Sequence, residues 1–137
     1  MKGIMDKPEK KPVDPRRDPE DFATRYANNA LFESTVWDLK ITFGQTDIVQ
    51  GPNVIIQHTA ITLPWNYVKI FSYLIQAQIA AQEAEYGHIT VPSNILNPPL
   101  EKLPDEIAAM AKHPKEQVAA IQKLWKEFLA ANPELKS

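Results

Sequence analysis

The sequence predicts an α+β fold: a three- or four-stranded antiparallel sheet packed by one long helix, followed by an extended arm and two C-terminal helices. Three observations predict it. Residues 26–63 show strand-like alternation, residues 64–87 form an uncharged helical run, and the segment after Pro114 has the spacing of an amphipathic helix. A chain of 137 residues is long enough for one domain with a hydrophobic core.

The chain begins with a segment that has little to bury. Residues 1–21 alternate charged side chains with prolines, a composition that predicts a disordered charged tail, with a docking tail as the alternative. The boundaries that we predict after it are a sheet-plus-helix domain at 22–90, an extended arm at 91–103 and a C-terminal helical extension at 104–133.

The strands are predicted from their alternation and composition. In LKITFG, the apolar residues Leu39, Ile41 and Phe43 alternate with polar or small ones, and the preceding ALFESTVW is rich in β-branched and aromatic residues. Asp38 marks the turn or bulge between these two strands. After turn residues 51–53, the third strand NVIIQHTAITL is apolar on both faces, which predicts a central strand or an interface strand.

The long helix is the most distinctive element. Pro64 suits the first helical position and Gly87 suits the left-handed cap after the last turn. No charged side chain occurs between Lys69 and Glu83, although a surface helix normally carries a charged face. The helix is therefore expected to be covered on most sides, by its own chain or by a partner.

The arm and the terminal helices follow. Three prolines in the arm exclude a regular helix or a central strand, yet its remaining residues are too apolar for a free linker, so it should lie on its own sheet or on a neighbouring subunit. A short helix is predicted at 104–112, and a second from Pro114 to Asn132. The second helix carries an apolar stripe of Val118, Ile121, Leu124, Trp125 and Phe128.

Charge and composition exclude several classes of function. Residues 22–100 hold only eight charged side chains, which argues against nucleic acid and favours a covered surface, because interface cores are depleted in charge. The chain has no cysteine, no secretory leader at its start and no apolar run of membrane-spanning length. We therefore expect a cytoplasmic homo-oligomer, a dimer in the first instance, that binds no nucleic acid and no membrane.

No constellation of residues indicates catalysis. His58, His88 and His113 lack the spacing of a metal site, and no serine has the context of an activated nucleophile. We accordingly expect no enzymatic activity, no cofactor and no metal, although a metal site shared across a subunit interface stays open. The residues that we expect to bind protein are Trp65, Tyr73, Gln76, Ile95, Leu96, Leu100 and Trp125.

One set of positions between residues 24 and 90 has an order and spacing that match a known pattern. These positions are Tyr26, Asn28, Asp38, Phe43, Gly44, Pro64, Leu74, Glu83, Gly87 and Ile89. Through them the segment resembles a bacterial family of small proteins catalogued as domain of unknown function 3467. The resemblance implies this fold and a bacterial origin, and it implies no activity. The chain departs from the family at residues 65–67, where the family has a more basic or histidine-containing segment, and residues beyond 100 lie outside the pattern.

A second likeness is topological only. The SecB-type secretory chaperone subunit is similar in having an antiparallel meander, then a long helix, then a shorter C-terminal helix. Two functions therefore compete. The first is a non-enzymatic structural or adaptor protein that self-assembles and binds a protein partner, and the second is a chaperone that binds extended polypeptide in an apolar groove.

Overall fold

The structure, a computed structural model, describes residues 10–46 and 54–136. Its elements are β1 (Asn29–Ser34), β2 (Asp38–Thr46), β3 (Ile55–Pro64), α1 (Trp65–Tyr86), α2 (Asp105–Met110), α3 (Pro114–Ala131) and a final 3₁₀ turn (Pro133–Lys136). The predicted α+β fold class is confirmed, with three strands in the described part of the chain. The chain divides into two compact units, whose boundary lies between Phe71 and Ser72 inside α1.

Two predictions fall on residues that the structure does not describe. The turn at 51–53 lies wholly outside the described residues, and the first nine residues of the 1–21 tail do as well. The described remainder of that tail is exposed and contains one turn. The backbone N–H groups of Glu20 and Asp21 donate to the Asp18 carboxylate at 2.9 and 3.2 Å, and these two bonds lower the pKa of Asp18.

The register of the sheet separates an apolar face from a polar one. The strands pair antiparallel in the order β1-β2-β3, and directly paired residues lie on the same face. Ile41 is paired with Phe32 on one side and with Ile61 on the other. We call the face of the sheet that contains Ile41 the apolar sheet face. Its residues are Phe32, Leu39, Ile41, Phe43, Ile61 and Leu63.

A β-bulge explains why the third strand looked apolar on both faces. Phe43 pairs with Thr59 and Gly44 with Gln57, so His58 is an extra residue in β3 and the alternation switches there. The switch returns Ile56 to the apolar sheet face. Of the two predicted alternatives, the central strand is wrong, because β3 pairs on one side only within residues 10–46 and 54–136 and is an edge strand there; the interface strand stays a prediction.

Gly44 is required at the bulge by a close approach of the two backbones. A Cβ atom at this position would lie 2.8 Å from the carbonyl oxygen of Ile56 and 2.9 Å from a methyl group of Ile55. Backbone atoms cannot move aside as a flexible side-chain end can, so only glycine fits between β2 and β3 here.

The first strand ends three residues earlier than its composition predicts. The Thr35 hydroxyl donates to the Asp38 carboxylate at 2.8 Å and accepts from the N–H groups of Trp37 and Asp38, each at 3.1 Å. These local bonds compete with strand pairing and close a turn over residues 35–37. Asp38 was predicted to mark the turn or bulge, but it is the first residue of β2, and its carboxylate only bonds back to the turn. The Trp65 indole N–H donates to the Thr35 carbonyl at 2.9 Å and fixes the start of α1 against this turn.

The helix ends follow the predicted chemistry except at the start of α1. Pro64 was predicted as its first residue, but Pro64 is the last residue of β3, and α1 begins at Trp65. Gly87 has a φ of 96° and its N–H donates to the Glu83 carbonyl at 2.9 Å, which closes α1 with a left-handed cap. Pro114 opens α3. At the other end of α3, the Asn132 side chain donates to the Phe128 carbonyl at 2.9 Å and is itself buried. Within the described residues, no helix combines the length and the apolar character needed to cross a membrane.

Almost no apolar side chain is buried within one chain. Ile41, at 6 % exposure, is the one buried hydrophobic residue of the described segments. None of the described side chains of α1, α2 or α3 is buried. A folded domain of this length normally encloses a core of several such residues. Within the described segments, the single chain therefore leaves many large apolar side chains exposed to water.

Candidate functional site

The first candidates are the apolar sheet face and, considered separately, the exposed stripe of the uncharged helix. Phe32 and Ile61, which flank the buried Ile41, are 60 % and 46 % exposed. In α1, Ile75 is 43 % exposed, and its apolar neighbours Leu74 and Ile79 are exposed as well. Because water contacts side chains that a monomeric fold would enclose, these are the parts of the chain most in need of a partner.

The second candidate surface is a groove of about 500 Å³ in the unit that begins at Ser72. One wall is formed by the arm and the other by α3. Trp125 and Phe128 stack along it with ring centroids 6.1 Å apart and ring planes inclined by 25°. Leu124 projects into the groove and is 67 % exposed. The lining residues are Leu96, Asn97, Pro99, Ile121, Leu124, Trp125 and Phe128.

The groove brings together two of the seven residues expected to bind protein. Leu96 and Trp125 line it, whereas Ile95 and Leu100 are exposed on the arm and are not part of its lining. Sequence reasoning did not select Pro99, Ile121, Leu124 or Phe128 as binding residues. The spacing of the α3 stripe placed Ile121, Leu124 and Phe128 on one helix face. The sequence did not show which segment lies opposite that face.

The other three candidates lie on α1, and two of them have local partners. The Trp65 indole donates to Thr35 and is engaged in holding the β1–β2 turn. The Gln76 side chain donates to the Ser72 hydroxyl at 3.3 Å, one helical turn earlier. Tyr73 is exposed. These residues remain candidates for an assembly surface rather than for the groove.

A polar latch joins the end of α1, the start of the arm and the C-terminal 3₁₀ turn. We define this latch as Glu83, His88 and Glu134. The His88 ring places Nε2 2.8 Å from a Glu134 carboxylate oxygen and Nδ1 3.2 Å from a Glu83 carboxylate oxygen. The backbone N–H groups of Ile89 and Val91 donate to Glu83 and Glu134 at 2.9 and 3.0 Å. The latch therefore fixes the first residues of the arm.

The contacts of the latch shift the pKa values of His88 and Glu134. The hydrogen bond to the Glu134 carboxylate is the largest cause that raises the pKa of His88 above its ordinary 6.5. The bond from the Val91 N–H is the largest cause that lowers the pKa of Glu134 below its ordinary 4.5. Both shifts favour the charged pair, in which each ring nitrogen of His88 donates to a carboxylate.

The latch should be tightest in mildly acidic solution. The raised pKa of His88 gives stability that is complete below pH 6.5 and is lost as the pH rises through the folded value. The lowered pKa of Glu134 gives stability that is complete above pH 4.5 and is lost as the pH falls through the folded value. Both contributions are complete between these limits. We expect amide hydrogen exchange at Val91, corrected for its intrinsic pH dependence, to be slowest there.

Two substitutions test this expectation. Glu134→Gln should speed exchange at Val91 and remove most of its pH dependence between pH 5.5 and 8.5. His113→Gln is the matched control, because His113 precedes α3 and its side chain makes no capping bond. An exchange rate at Val91 with the same pH profile in wild type and Glu134→Gln would contradict the latch.

The remaining histidine of the folded region has a structural environment. His58 Nε2 lies 2.8 Å from the Tyr26 carbonyl and Nδ1 lies 2.8 Å from the Thr59 hydroxyl. A neutral ring that donates from Nε2 and accepts at Nδ1 satisfies both contacts. Across residues 10–46 and 54–136, no three His, Cys, Asp or Glu side chains form a group suited to holding a metal ion.

Comparisons of the chain with models of protein families, with curated proteins and with solved structures found no match. The candidate surfaces are therefore interpreted from their own geometry.

Proposed function

We propose that this chain is a non-enzymatic structural or adaptor protein of the bacterial cytoplasm that assembles into a homodimer and binds a protein partner. The observation that carries the proposal is the burial of Ile41 alone among the hydrophobic residues of the described segments. A chain with this many apolar residues and so little core gains its stability from a second surface. Closed two-fold dimers are the commonest such assembly.

The amount of exposed apolar surface supports assembly over a monomer. Twenty-six large apolar side chains of the described residues are exposed. Complete burial of one such side chain contributes about 1.5–3 kcal/mol, and a stable interface covers about 800 Å² on each partner. An interface of that size takes about 20–30 residues on each side, so many of these side chains must be covered together with their polar neighbours. Scattered exposure is normal for a monomer, but neighbouring exposed apolar side chains on one helix, such as Leu74, Ile75 and Ile79 of α1, form a patch that a partner can cover.

Four of the ten residues that carry the family resemblance have structural roles here, which supports a non-enzymatic protein. The Asn28 side chain accepts from the Thr46 N–H at 3.0 Å, and the Glu83 carboxylate accepts from the Ile89 N–H at 2.9 Å. Gly44 permits the close approach at the bulge and Gly87 adopts positive φ. Because turns, bulges and caps account for these residues, a catalytic role is not needed to explain why they occur at these positions. Membership of that family is part of the same proposal.

The arm–α3 groove is the site that we propose for a foreign protein. It is open, aromatic and polar only at Asn97, which suits an apolar anchor residue from a partner. The same openness favours the second candidate function, a SecB-like chaperone that takes extended polypeptide. A chaperone would keep the groove free in the purified protein, so a hydrophobic dye would bind it strongly. An adaptor, whose apolar surfaces other than this groove are closed in the dimer, would bind the dye weakly and at the groove alone.

Size-exclusion chromatography with light scattering tests the assembly. The intact chain has a mass of 15.5 kDa, and we expect a species of twice that mass that persists on dilution to the micromolar range. A monodisperse monomer at all concentrations would overturn the proposal. A dimer that also binds the dye strongly would favour the chaperone over the adaptor.

A further inference from the structure

We propose that the outer edge of β3 is the seam of the homodimer, where β3 of one copy pairs antiparallel with β3 of a second copy to form a six-stranded sheet. This inference rests on the proposed function, because it names the surface through which the chain assembles. It commits to a second copy of this chain as the occupant of the edge.

The two edges of the sheet differ in how they are protected. Exposed strand edges pair readily with other strands, and monomeric proteins protect them with charge, proline or short length. β1 has six residues and carries Glu33. β3 has ten residues, carries no charge and meets its first proline at its last position, Pro64. The edge of β3 is therefore the one left open for pairing.

Among the residues that the structure describes, the outer edge of β3 also has no backbone partner. Within the described segments, every backbone hydrogen bond of β3 runs to β2, and the segment before β1 bonds to Gly44 instead. The His58 side chain, and not the β3 backbone, contacts the Tyr26 carbonyl. Unpaired N–H and C=O groups along a strand are satisfied most completely by another strand.

An uncharged strand is well suited to pair with itself. In an antiparallel pair about a two-fold axis, residues of one sequence face residues of the same sequence, and like charges placed opposite each other destabilise the pair. Ile55–Pro64 has no charged side chain, so this penalty is absent. The pairing also joins two apolar sheet faces, through Ile61 and Leu63, into one continuous surface.

A matched pair of lysine substitutions tests the seam. Ala60 and Leu31 both pair with Thr42, so they occupy the same row and the same face on opposite edges of the sheet. Ala60→Lys places two lysines at the seam, one from each copy, and should raise the dimer Kd at least about tenfold. Leu31→Lys places the same charge on the protected edge and should leave the Kd unchanged. Circular dichroism confirms that both variants remain folded.

Cross-linking provides an independent measurement in the intact chain. The sequence has no cysteine. A single cysteine introduced at one position from Thr59 to Leu63 can therefore form a disulfide only with the same cysteine of the second copy. Disulfide formation needs Cβ atoms about 3.5–4.5 Å apart, so cross-linking should peak at one or two neighbouring positions on the two-fold axis. A cysteine in place of Leu31 should not cross-link.

The outcomes separate the seam from dimerisation itself. A wild-type dimer with a flat cross-linking profile, or with equal effects of Ala60→Lys and Leu31→Lys, would overturn the β3 seam and leave the proposed homodimer standing. A wild-type monomer would overturn both. A dimer with a peaked profile in β3 and a selective effect of Ala60→Lys would establish the seam.

Discussion

Ile75→Lys in the uncharged helix is expected to dissociate the homodimer and to raise its Kd by at least about 100-fold, or ~2.7 kcal/mol. Ile75 lies on the stripe that includes Val68 and Ile79, and it is 43 % exposed in the single chain. If the dimer covers this stripe, a lysine there must either carry its charge into an apolar interface or force the interface open. Both cost several kcal/mol.

Ala77→Lys is the matched control for this prediction. Two residues along a helix correspond to a rotation of about 200°, so Ala77 lies on the opposite side of α1 from Ile75. Both positions are exposed in the single chain, and lysine is a good helix former, so neither variant should unfold α1. Sedimentation equilibrium measures both Kd values. Equal Kd values for the two variants would show that the stripe is not part of the interface.

Local chemistry made most of the fold predictable. Alternation located β2, and Pro64 and Gly87 fixed the ends of α1 to within a residue. These features depend on residues close together in sequence, such as the cap that Gly87 forms with Glu83. The predicted end of β1 was wrong because strand propensity takes no account of the Thr35 hydroxyl, which accepts from the N–H groups of Trp37 and Asp38 and closes the turn early.

The character of β3 could not be predicted because it depends on pairing. Alternation assigns faces only if every residue advances the strand by one step, and the extra residue His58 breaks that rule. Gly44 of β2 allows the close approach of the two strands at the bulge. It lies fourteen residues before His58 in the chain, and no local sequence pattern connects these two residues. Once the bulge is known, a strand apolar on both faces becomes an uncharged edge strand with one mainly apolar face.

The prediction of the candidate sites was limited in the same way, because it too depends on contacts between residues far apart in the sequence. Trp125 was selected for its aromatic character and Leu96 for its place in an apolar arm, and the groove brings these two together. Their pairing depends on where the arm lies, which the latch around His88 decides through residues up to 46 positions apart. Trp65 was selected for lying off the main stripe of α1. Its indole bond to Thr35 gives that position a structural explanation.

Ile41→Ala is expected to cause the largest loss of folding stability of any single truncation in the described chain, about 2–5 kcal/mol. Ile41 is the one hydrophobic side chain at 6 % exposure, in the central strand between Phe32 and Ile61. Removing three carbons there leaves a cavity that paired strands cannot close without shifting register. Exposed apolar residues lose less on truncation in one chain, because water already contacts them.

Two further substitutions make the test of Ile41 specific. Ile41→Val removes one methylene and should cost only about 0.5–1.5 kcal/mol. Thr42→Ala, on the opposite face of β2, should cost no more than about 1 kcal/mol, mostly through lower strand propensity. Denaturant unfolding gives the three values, and the protomer concentration must be equal because a dimer gains stability with concentration. If Ile41→Ala were no worse than Thr42→Ala, the core of this protein would lie in the interface rather than in the sheet of one chain.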